Sequence, residues 1–500
     1  RGRDPATANF AMVEPPLSTL NSQAIKELQP KTTTLSVSPI ATQPLNNFMK
    51  PNRLSLLMPF LTLLLALFSS TLKAGEWETL FDGHSTDAFR AYQKDLFPSE
   101  AWNVIDGTLR TNPKATPVDL ITKKTYQSFE LVFDWIATQG ANSGVIYRVS
   151  EEGSQPWHTG LEYQILDSAH DGNQDEGAPH SVADLYDLIH AKGISLNPAG
   201  KINQSRIVLS GNHVEHWLNG QKVVACALDS FGVDQLIAKS KFADHDRFAK
   251  NKKGHIVFQH HQDEVWFKKI QIRALPEPEV LPTNRKVNTL NKAWREAGWV
   301  NLFNGKNTMR WRGFKKDAFP SKGWIIENDC LKHISKGGGG DIITKTKFGQ
   351  FDFQWEWKVA PGANSGVKYF IMEERGGAIG HEYQIIDDSK HPDALRGPKW
   401  QTAAFYDVFP ASNRVLQPVG SFNQSRILVQ GQKVEHWLNG IMVLDYTLGS
   451  ERVLEAVAGS KFKNVKDFGY RHMGHVLLQD HQDEVHYRNL RIKRLRQAKK

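Results

Sequence analysis

The chain carries one long sequence pattern twice, and this internal repeat limits its fold more than any other feature. Six motifs recur in the same order, with an offset of 222 residues for the first two motifs and 220 for the other four. The matched segments are 80–83 with 302–305, 141–145 with 363–367, 162–165 with 382–385, 203–206 with 423–426, 214–220 with 434–440, and 261–265 with 481–485. Units of this length are too long for solenoid repeats, so each copy is predicted to be a full domain.

The repeat boundaries divide the rest of the chain. The first copy runs over 76–274 and the second over 298–495, with a connector at 275–297. Prolines in Leu275–Pro282 favour an extended start to this connector, and Asn288–Ala297 is predicted to form a short helix.

The N-terminal part is interpreted as a targeting segment. The apolar run Leu54–Phe68 follows Lys50 and Arg53 and precedes small polar residues, which is typical of a signal peptide at 49–74. Residues 1–48 are then upstream sequence, non-native or disordered, and Met49 is the expected start. We therefore expect a periplasmic or secreted protein without a stable membrane span after cleavage; an N-terminal anchor helix is the alternative.

Charge and cysteine content exclude several kinds of protein. The formal net charge is +9, but six basic residues and no acidic ones lie in 491–500, and residues 1–74 are also basic, which leaves the body of the chain near neutral. No nucleic-acid partner is therefore expected. Cys226 and Cys330 occupy different places in the two repeats, which excludes a disulfide scaffold and a cysteine-ligated zinc site. Whether the two cysteines pair is left open.

The repeats show the patterns of β-strands. Strands are predicted near 129–136, 161–167, 206–210, 214–218 and 265–272 and at the shifted positions of the second repeat, because aromatic and branched residues dominate there. Asn219-Gly220 between two apolar runs indicates a two-residue hairpin. Many strands and little helix predict an all-β sandwich or jelly roll in each repeat, with no sheet shared between them.

Five of these motifs together resemble the 3-keto-disaccharide hydrolase domain family. They are the opening Leu-Phe-(Asp/Asn)-Gly, Asn-Ser-Gly-Val, Glu-Tyr-Gln-Ile-(Leu/Ile)-Asp, Trp-Leu-Asn-Gly and His-Gln-Asp-Glu-Val, and they occur in both repeats. The resemblance implies two tandem concanavalin A-like jelly-roll β-sandwiches. It also implies a secreted bacterial hydrolase that cleaves glycosides oxidised at C3 of the sugar.

Strand alternation in the third motif separates its carboxylates. Glu162 and Gln164 share one face of the predicted strand, whereas Asp167 belongs to the other face. The close carboxylate pair of an ordinary retaining glycosidase would need a bulge that nothing here indicates. Glu162 and Gln164 are therefore expected to line a groove, and Asp167 to hold a loop or a metal.

Cleavage of a keto-sugar requires a base for C2, a group that polarises the ketone and an acid for the leaving oxygen. The predicted catalytic residues are Glu162, His261, Asp167, Glu382, His481 and Asp387. The predicted substrate-binding residues are Asn142, Arg148, Gln164, Tyr186, Asp187, Asn364, Gln384, Tyr406, Asp407 and Asp480. A divalent cation is left open as a cofactor, and its ligands are unknown.

The two copies differ at positions that bear on activity. Arg148 is replaced by Phe370, and His260 by Asp480. An arginine suits an anionic ligand, and an aspartate keeps the Asp-His pair of the family. Repeat two is therefore expected to carry most of the activity. The alternative function is a non-catalytic tandem carbohydrate-binding protein, for which aromatic and amide groups would matter more than titratable ones.

Overall fold

A computed structural model describes residues 75–167, 180–278 and 286–496. The predicted upstream segment, Met49 and the apolar run at 54–68 lie outside the described residues, as does the middle of the predicted connector. Within the described ranges, no helix is long and apolar enough to cross a membrane.

The first repeat consists of thirteen described strands and a short helix. They are β1 (Trp77–Phe81), β2 (Phe89–Ala91), β3 (Trp102–Ile105), β4 (Thr108–Thr111), β5 (Leu120–Thr122), β6 (Phe129–Ala137), β7 (Asn142–Val149), β8 (Leu161–Leu166), β9 (Asn203–Ser210), β10 (His213–Leu218), β11 (Gln221–Ala227), α1 (Phe231–Ile237), β12 (His255–Phe258) and β13 (Val265–Ala274).

The second repeat has the same order of elements, preceded by the short helix α2 (Lys292–Glu296). They are β14 (Trp299–Asn301), β15 (Trp311–Gly313), β16 (Trp324–Glu327), β17 (Cys330–His333), β18 (Ile342–Thr344), β19 (Phe351–Val359), β20 (Asn364–Ile371), β21 (His381–Ile386), β22 (Asn423–Gln430), β23 (Lys433–Leu438), β24 (Ile441–Thr447), α3 (Glu451–Ala458), β25 (His475–Leu478) and β26 (Val485–Arg494).

Each repeat is a two-layer β-sandwich. In repeat one a five-stranded sheet, in the order β2-β5-β12-β7-β8, faces a larger sheet that contains β6 and β13. Aromatic rings join the layers: Phe258 of β12 lies 6.1 Å from Phe133 of β6 and 5.1 Å from Phe267 of β13, measured between ring centroids. Repeat two has the equivalent five-stranded sheet β15-β18-β25-β20-β21. The prediction of an all-β fold with two tandem jelly-roll sandwiches is confirmed.

The predicted Asn-Gly hairpin is also present. Asn219 and Gly220 join β10 to β11 with φ angles of 48° and 80°, and Asn439 and Gly440 repeat this geometry at 49° and 87°. Two consecutive residues with positive φ form the type I′ turn that matches the twist of the flanking strands.

The prediction that no sheet is shared between the repeats is wrong. The two large sheets join into one sheet of sixteen strands, because β11 pairs antiparallel with β24. The Ala227 amide donates to the Gly440 carbonyl at 2.8 Å, and Lys222 forms an ion pair with Glu435 at 2.6 Å. Unpaired strand edges are a liability, and edge-to-edge pairing of the repeats satisfies both.

Both cysteines are free thiols and buried, Cys226 in β11 and Cys330 in β17. Burial raises the pKa of Cys226 to about 12, which keeps it a protonated thiol of the core.

Candidate active sites

A cavity of about 410 Å³ lies on the outer face of the five-stranded sheet of repeat one. Tyr163 points the other way from this face and packs on Phe133 in the core, so its neighbours Glu162 and Gln164 face the cavity. The lining residues are Pro117, Asp119, Asn142, Gln155, Trp157, Glu162, Gln164, Tyr186, Lys241, Gln259, His260 and His261. The structure thus brings Glu162 and His261 to one groove.

The glycine of the Asn-Ser-Gly motif makes room for the glutamate. Glu162 on β8 is paired with Ile146 of β7, and its carboxylate lies over Gly144 of that strand. A Cβ at Gly144 would overlap the Glu162 carboxylate, and a Cβ at Gly366 would overlap that of Glu382. The motif is therefore explained by close approach of a side chain to the backbone.

Two acidic groups of the cavity are shifted towards protonation near neutral pH. Burial raises the pKa of Glu162 to about 8, although the neighbouring Lys241 ammonium acts in the opposite direction. Burial also raises the pKa of Asp119 to about 6, against the hydrogen bond that its carboxylate accepts from the His260 amide at 2.9 Å. Such shifts in one cavity are typical of functional sites.

The structure adds a lysine that the sequence motifs did not include. The Lys241 Nζ lies 4.3 Å from the centre of the Tyr186 ring and 4.9 Å from that of Trp157. Burial lowers the pKa of Lys241, while Glu162 and Asp187 raise it. The lysine is therefore an exposed cation that lines the same cavity as the glutamate.

The Tyr-Asp motif positions this lysine in both repeats. The Asp187 carboxylate accepts the Lys241 amide at 2.8 Å and lies outside the cavity. In repeat two, Asp407 accepts the Lys461 amide at 2.7 Å, and the Lys461 Nζ lies 4.1 Å from the Tyr406 ring centre. Tyr186 and Tyr406 form the surface beneath the ammonium group, whereas the aspartates fix the backbone that carries it. A repeated Ser-Lys-Phe, at 240–242 and 460–462, is the sequence signal that would have identified this lysine.

Asp167 and Asp387 hold a loop. The Asp167 carboxylate accepts the Gly140 amide at 2.9 Å, and Asp387 accepts the Gly362 amide at 2.7 Å and the Ser389 hydroxyl at 2.6 Å. These bonds close the turn before β7 and β20. The carboxylates thus fill one of the two roles that strand alternation left open, and neither joins the catalytic set.

Amide side chains complete the polar wall. Gln164 donates to the Asn142 Oδ1 at 3.3 Å, and its own Oε1 is buried with no hydrogen-bond partner among the described residues. In repeat two the Gln384 Oε1 accepts the Ile385 amide, whereas the buried Asn364 Oδ1 has no hydrogen-bond partner among the described residues. Such oxygens are suited to accept sugar hydroxyls.

Arg148, a predicted substrate-binding residue, does not line the cavity of repeat one. Its backbone has a φ of 60° at an irregular pairing of β7 with β12, which turns the side chain away from the cavity. The guanidinium is buried and donates to the Gly211 carbonyl at 2.5 Å. Phe370 keeps the same backbone angle, with a φ of 58°, and packs in the core of repeat two.

Asp480, also predicted to bind substrate, takes part in a hydrogen-bond network of the second repeat. Its carboxylate is buried against His333, with 2.9 Å to the His333 Nε2, and it accepts the Gly340 amide at 2.8 Å. In repeat one Thr111 stands in place of His333, and His260 bonds to the Asn112 carbonyl at 3.1 Å. The replacement of His260 by Asp480 is therefore accompanied by the replacement of Thr111 by His333, and these residues belong to a hydrogen-bond network that supports the fold.

A different position separates the two sites. The Lys368 Nζ on β20 lies 3.7 Å from the Glu382 Oε2, and both side chains are largely buried. Repeat one has Ile146 at this place. Burial raises the pKa of Asp341, the counterpart of Asp119, while Lys368 lowers it. Glu382 thus has a second ammonium group beside it, which Glu162 lacks.

One cluster has the composition of a metal site. Ligand atoms of His391, His481 and Asp483 all lie within 4.8 Å of one another in repeat two. His481 is about half exposed. Burial and the neighbouring His481 lower the pKa of His391, so that its ring is neutral.

Comparisons with known proteins agree with this repeat structure. A family model described as the 3-keto-α-glucoside-1,2-lyase-like domain matches residues 76–273 and 298–493. A protein of Bacteroides thetaiotaomicron with the name 3-keto-disaccharide hydrolase is 35% identical over 227 residues, which cover 39% of this chain and 78% of that protein.

Solved structures of lower similarity are also found. One from Parabacteroides distasonis, described as a candidate glycosyl hydrolase, is 29% identical with a TM-score of 0.39 and covers 42% of this chain and 100% of its own. The carbohydrate-binding module CBM66 from Bacillus subtilis is 9% identical with a TM-score of 0.24, over 37% of this chain and 96% of its own.

Proposed function

We propose, from the premise that the chain belongs to the 3-keto-α-glucoside-1,2-lyase-like domain family, that it cleaves glycosidic bonds of sugars oxidised at C3. The name of the Bacteroides relative supports a 3-keto-disaccharide as the substrate class. The reaction proposed is elimination across C1 and C2 followed by hydration.

One observation carries this proposal: a buried glutamate faces a lysine at the same place in both repeats. The charge of Lys241 lowers the pKa of Glu162 against the effect of burial, and Glu382 is the acidic group with the largest influence on the pKa of Lys461. A keto-sugar needs a base next to a cation, because removal of the C2 proton places negative charge on the C3 oxygen. A simple binding module has no use for a buried carboxyl group that is costly to desolvate.

The steps balance with these groups alone. The glutamate carboxylate takes the C2 proton, and the electron pair forms an enolate whose oxygen the lysine ammonium stabilises. The enolate pair then forms the C1–C2 double bond as the C1–oxygen bond breaks, and the leaving alcohol takes a proton from His261 or His481. Water adds its hydroxyl to C1 and its proton to C2, which yields the free 3-keto-sugar.

The test uses 4-nitrophenyl 3-keto-α-glucoside and the parent 4-nitrophenyl α-glucoside with the purified protein. Release of nitrophenol is expected from the ketone only, because the unoxidised sugar has no acidic C2 proton. Cleavage of both compounds at similar rates, or of neither, would reject the proposal.

A second measurement separates elimination from direct hydrolysis. In D₂O the elimination route places deuterium at C2 of the released 3-keto-sugar, detected by mass spectrometry against the untreated 3-keto-sugar in the same buffer. Product without enzyme-dependent deuterium would contradict the elimination step while leaving the substrate class intact.

A further inference from the structure

The cluster of His391, His481 and Asp483 brings together two segments that are distant in sequence. His481 and Asp483 lie in the turn before β26, and His391 lies in the loop that follows β21. The rings of His391 and His481 are 5.8 Å apart between centroids and nearly perpendicular, and the His481 Nδ1 lies 3.8 Å from the Asp483 Oδ2.

We propose that this cluster is a binding site for a divalent transition-metal ion. Ligand atoms around a tetrahedral ion are about 3.4 Å apart when each bond is about 2.1 Å, so the half-exposed His481 must close by only a fraction of an ångström towards Asp483. Two imidazoles and one carboxylate favour zinc, cobalt or manganese over calcium and magnesium, which prefer oxygen ligands.

The surroundings of the cluster have the features of a supported ligand set. The Asp483 Oδ2 also accepts the Asn364 amide at 2.9 Å, which fixes the carboxylate to the start of β20. Asn364 itself is 3% exposed, and its Oδ1 has no hydrogen-bond partner within the part of the chain that the structure describes. Because the backbone amide of Asn364 bonds to Asp483, this unpartnered oxygen belongs to a residue in contact with the cluster, and a polar group such as a water bound to the ion would satisfy it.

The cluster belongs to the rim of the candidate site in repeat two. Asp393, two residues after His391, accepts the Tyr406 hydroxyl at 2.6 Å, and Tyr406 lies beneath the Lys461 ammonium. The carboxylate of Asp341, which is the counterpart of the cavity residue Asp119, accepts the amide of Asp480, the residue before His481, at 2.9 Å. Three protein ligands leave coordination positions open for substrate.

The role of the ion rests on the proposed function. With the ion bound, His481 would serve as its ligand, and a water held by the ion would supply the proton of the leaving oxygen in its place. An ion at this rim would bind the C3 carbonyl oxygen of a 3-keto-sugar and assist the lysine in stabilising the enolate. In repeat one His261 and Asp263 are kept, but no third ligand joins them among the residues that the structure describes. The proposal therefore concerns repeat two.

Metal binding is tested on the full chain without substrate. The protein is stripped with a chelator, titrated with Co²⁺ while the visible ligand-field bands are recorded, and loaded with Zn²⁺ for metal analysis after desalting. One ion per chain is expected, and H391A and H481A should each weaken binding at least about tenfold. H261A is the matched control in repeat one and should bind like the wild type, with circular dichroism confirming the fold of every variant.

Unchanged binding in H391A and H481A, or no retained ion in the wild type, would overturn the site. An ion lost equally from H261A would overturn its restriction to repeat two. Because the readout needs no sugar, a protein that binds the ion but fails to cleave 3-keto-glucosides would contradict the proposed function and leave the metal site standing.

Discussion

At the residue scale, the environment of one glutamate decides what each site can do. Glu162 faces a single ammonium group, that of Lys241, and has the aliphatic Ile146 as its partner on β7. Glu382 has Lys368 at 3.7 Å on the equivalent strand. A cation at this distance favours the ionised form of a carboxyl group, which is the form that a base requires.

The first prediction is a pH profile for repeat one. With repeat two disabled by E382Q, the remaining kcat should rise with pH through about 8, because burial raises the pKa of Glu162 to about 8 and a base acts only when it is ionised. The measurement is kcat for a 3-keto-glucoside between pH 6 and 10. A profile that falls over this range would show that Glu162 acts as an acid.

The second prediction is a reciprocal exchange of the residues that differ. K368I in an E162Q background should lower kcat for a 3-keto-glucoside at pH 7, since Glu382 loses its ionic partner. I146K in an E382Q background should do the reverse for repeat one. We expect kcat at pH 7 to change about tenfold if the rising limb of the pH profile moves by one pH unit. If neither exchange changes kcat in this way, the ion pair does not control the activity of the glutamate base.

Motif spacing predicted the glutamates and histidines of the sites because their strand and turn positions are local properties. Glu162 and Gln164 reach the cavity through simple alternation along β8. The contacts of Arg148 with Gly211 and of Asp480 with His333 could not be predicted, because these partners are distant in sequence and become neighbours only in the folded chain. Lys241 was missed because it lies in an irregular segment, where periodicity carries no information.

At the element scale, the strand β7 is shaped to admit a side chain of its neighbour. Gly144 leaves space for the Glu162 carboxylate, whereas Gly254 lies directly over backbone atoms of Arg148 on the same strand. The first glycine serves the site and the second serves the packing of β7. Sequence alone does not separate these two uses of a glycine, because both need the same residue.

The third prediction compares these two glycines. G144A should leave the melting temperature nearly unchanged, since only the end of a flexible glutamate must move, but it should displace the carboxylate and lower repeat-one activity about tenfold or more. G254A, the control, should destabilise the fold by about 2 kcal/mol or more, because backbone atoms cannot yield as a side chain does. Thermal unfolding and kcat in an E382Q background measure both. A large loss of stability in G144A would contradict this account.

At the scale of the whole molecule, the repeats form one sheet although each has its own core. The Asn-Gly hairpin signal indicated the apolar runs that form the seam, but it could not predict that β11 and β24 pair, because the pairing depends on which edges remain unpaired after each sandwich closes. The sequence signal for this pairing was the run of four apolar residues Val223–Cys226, all of which are buried. A strand at a free sheet edge with one face in solvent would instead alternate between apolar and polar residues. The shared sheet joins the two repeats, but the residues next to Glu162 and Glu382 remain different.

The last prediction is that repeat two carries most of the activity near neutral pH. The earlier grounds, Arg148 and Asp480, are replaced by two features of the site itself: the Lys368–Glu382 ion pair and the cluster of His391 with His481 and Asp483.

We expect E382Q or H481A to lower kcat/KM at pH 7 by about 10² or more, the usual effect of removing a general base or acid. The matched changes E162Q and H261A in repeat one should cost less than about threefold at pH 7 and more at pH 9, where Glu162 is ionised and its repeat contributes. Steady-state kinetics at both pH values measure the difference. Equal losses from the two pairs at pH 7, or a loss confined to E162Q and H261A, would assign the chemistry to both repeats or to repeat one.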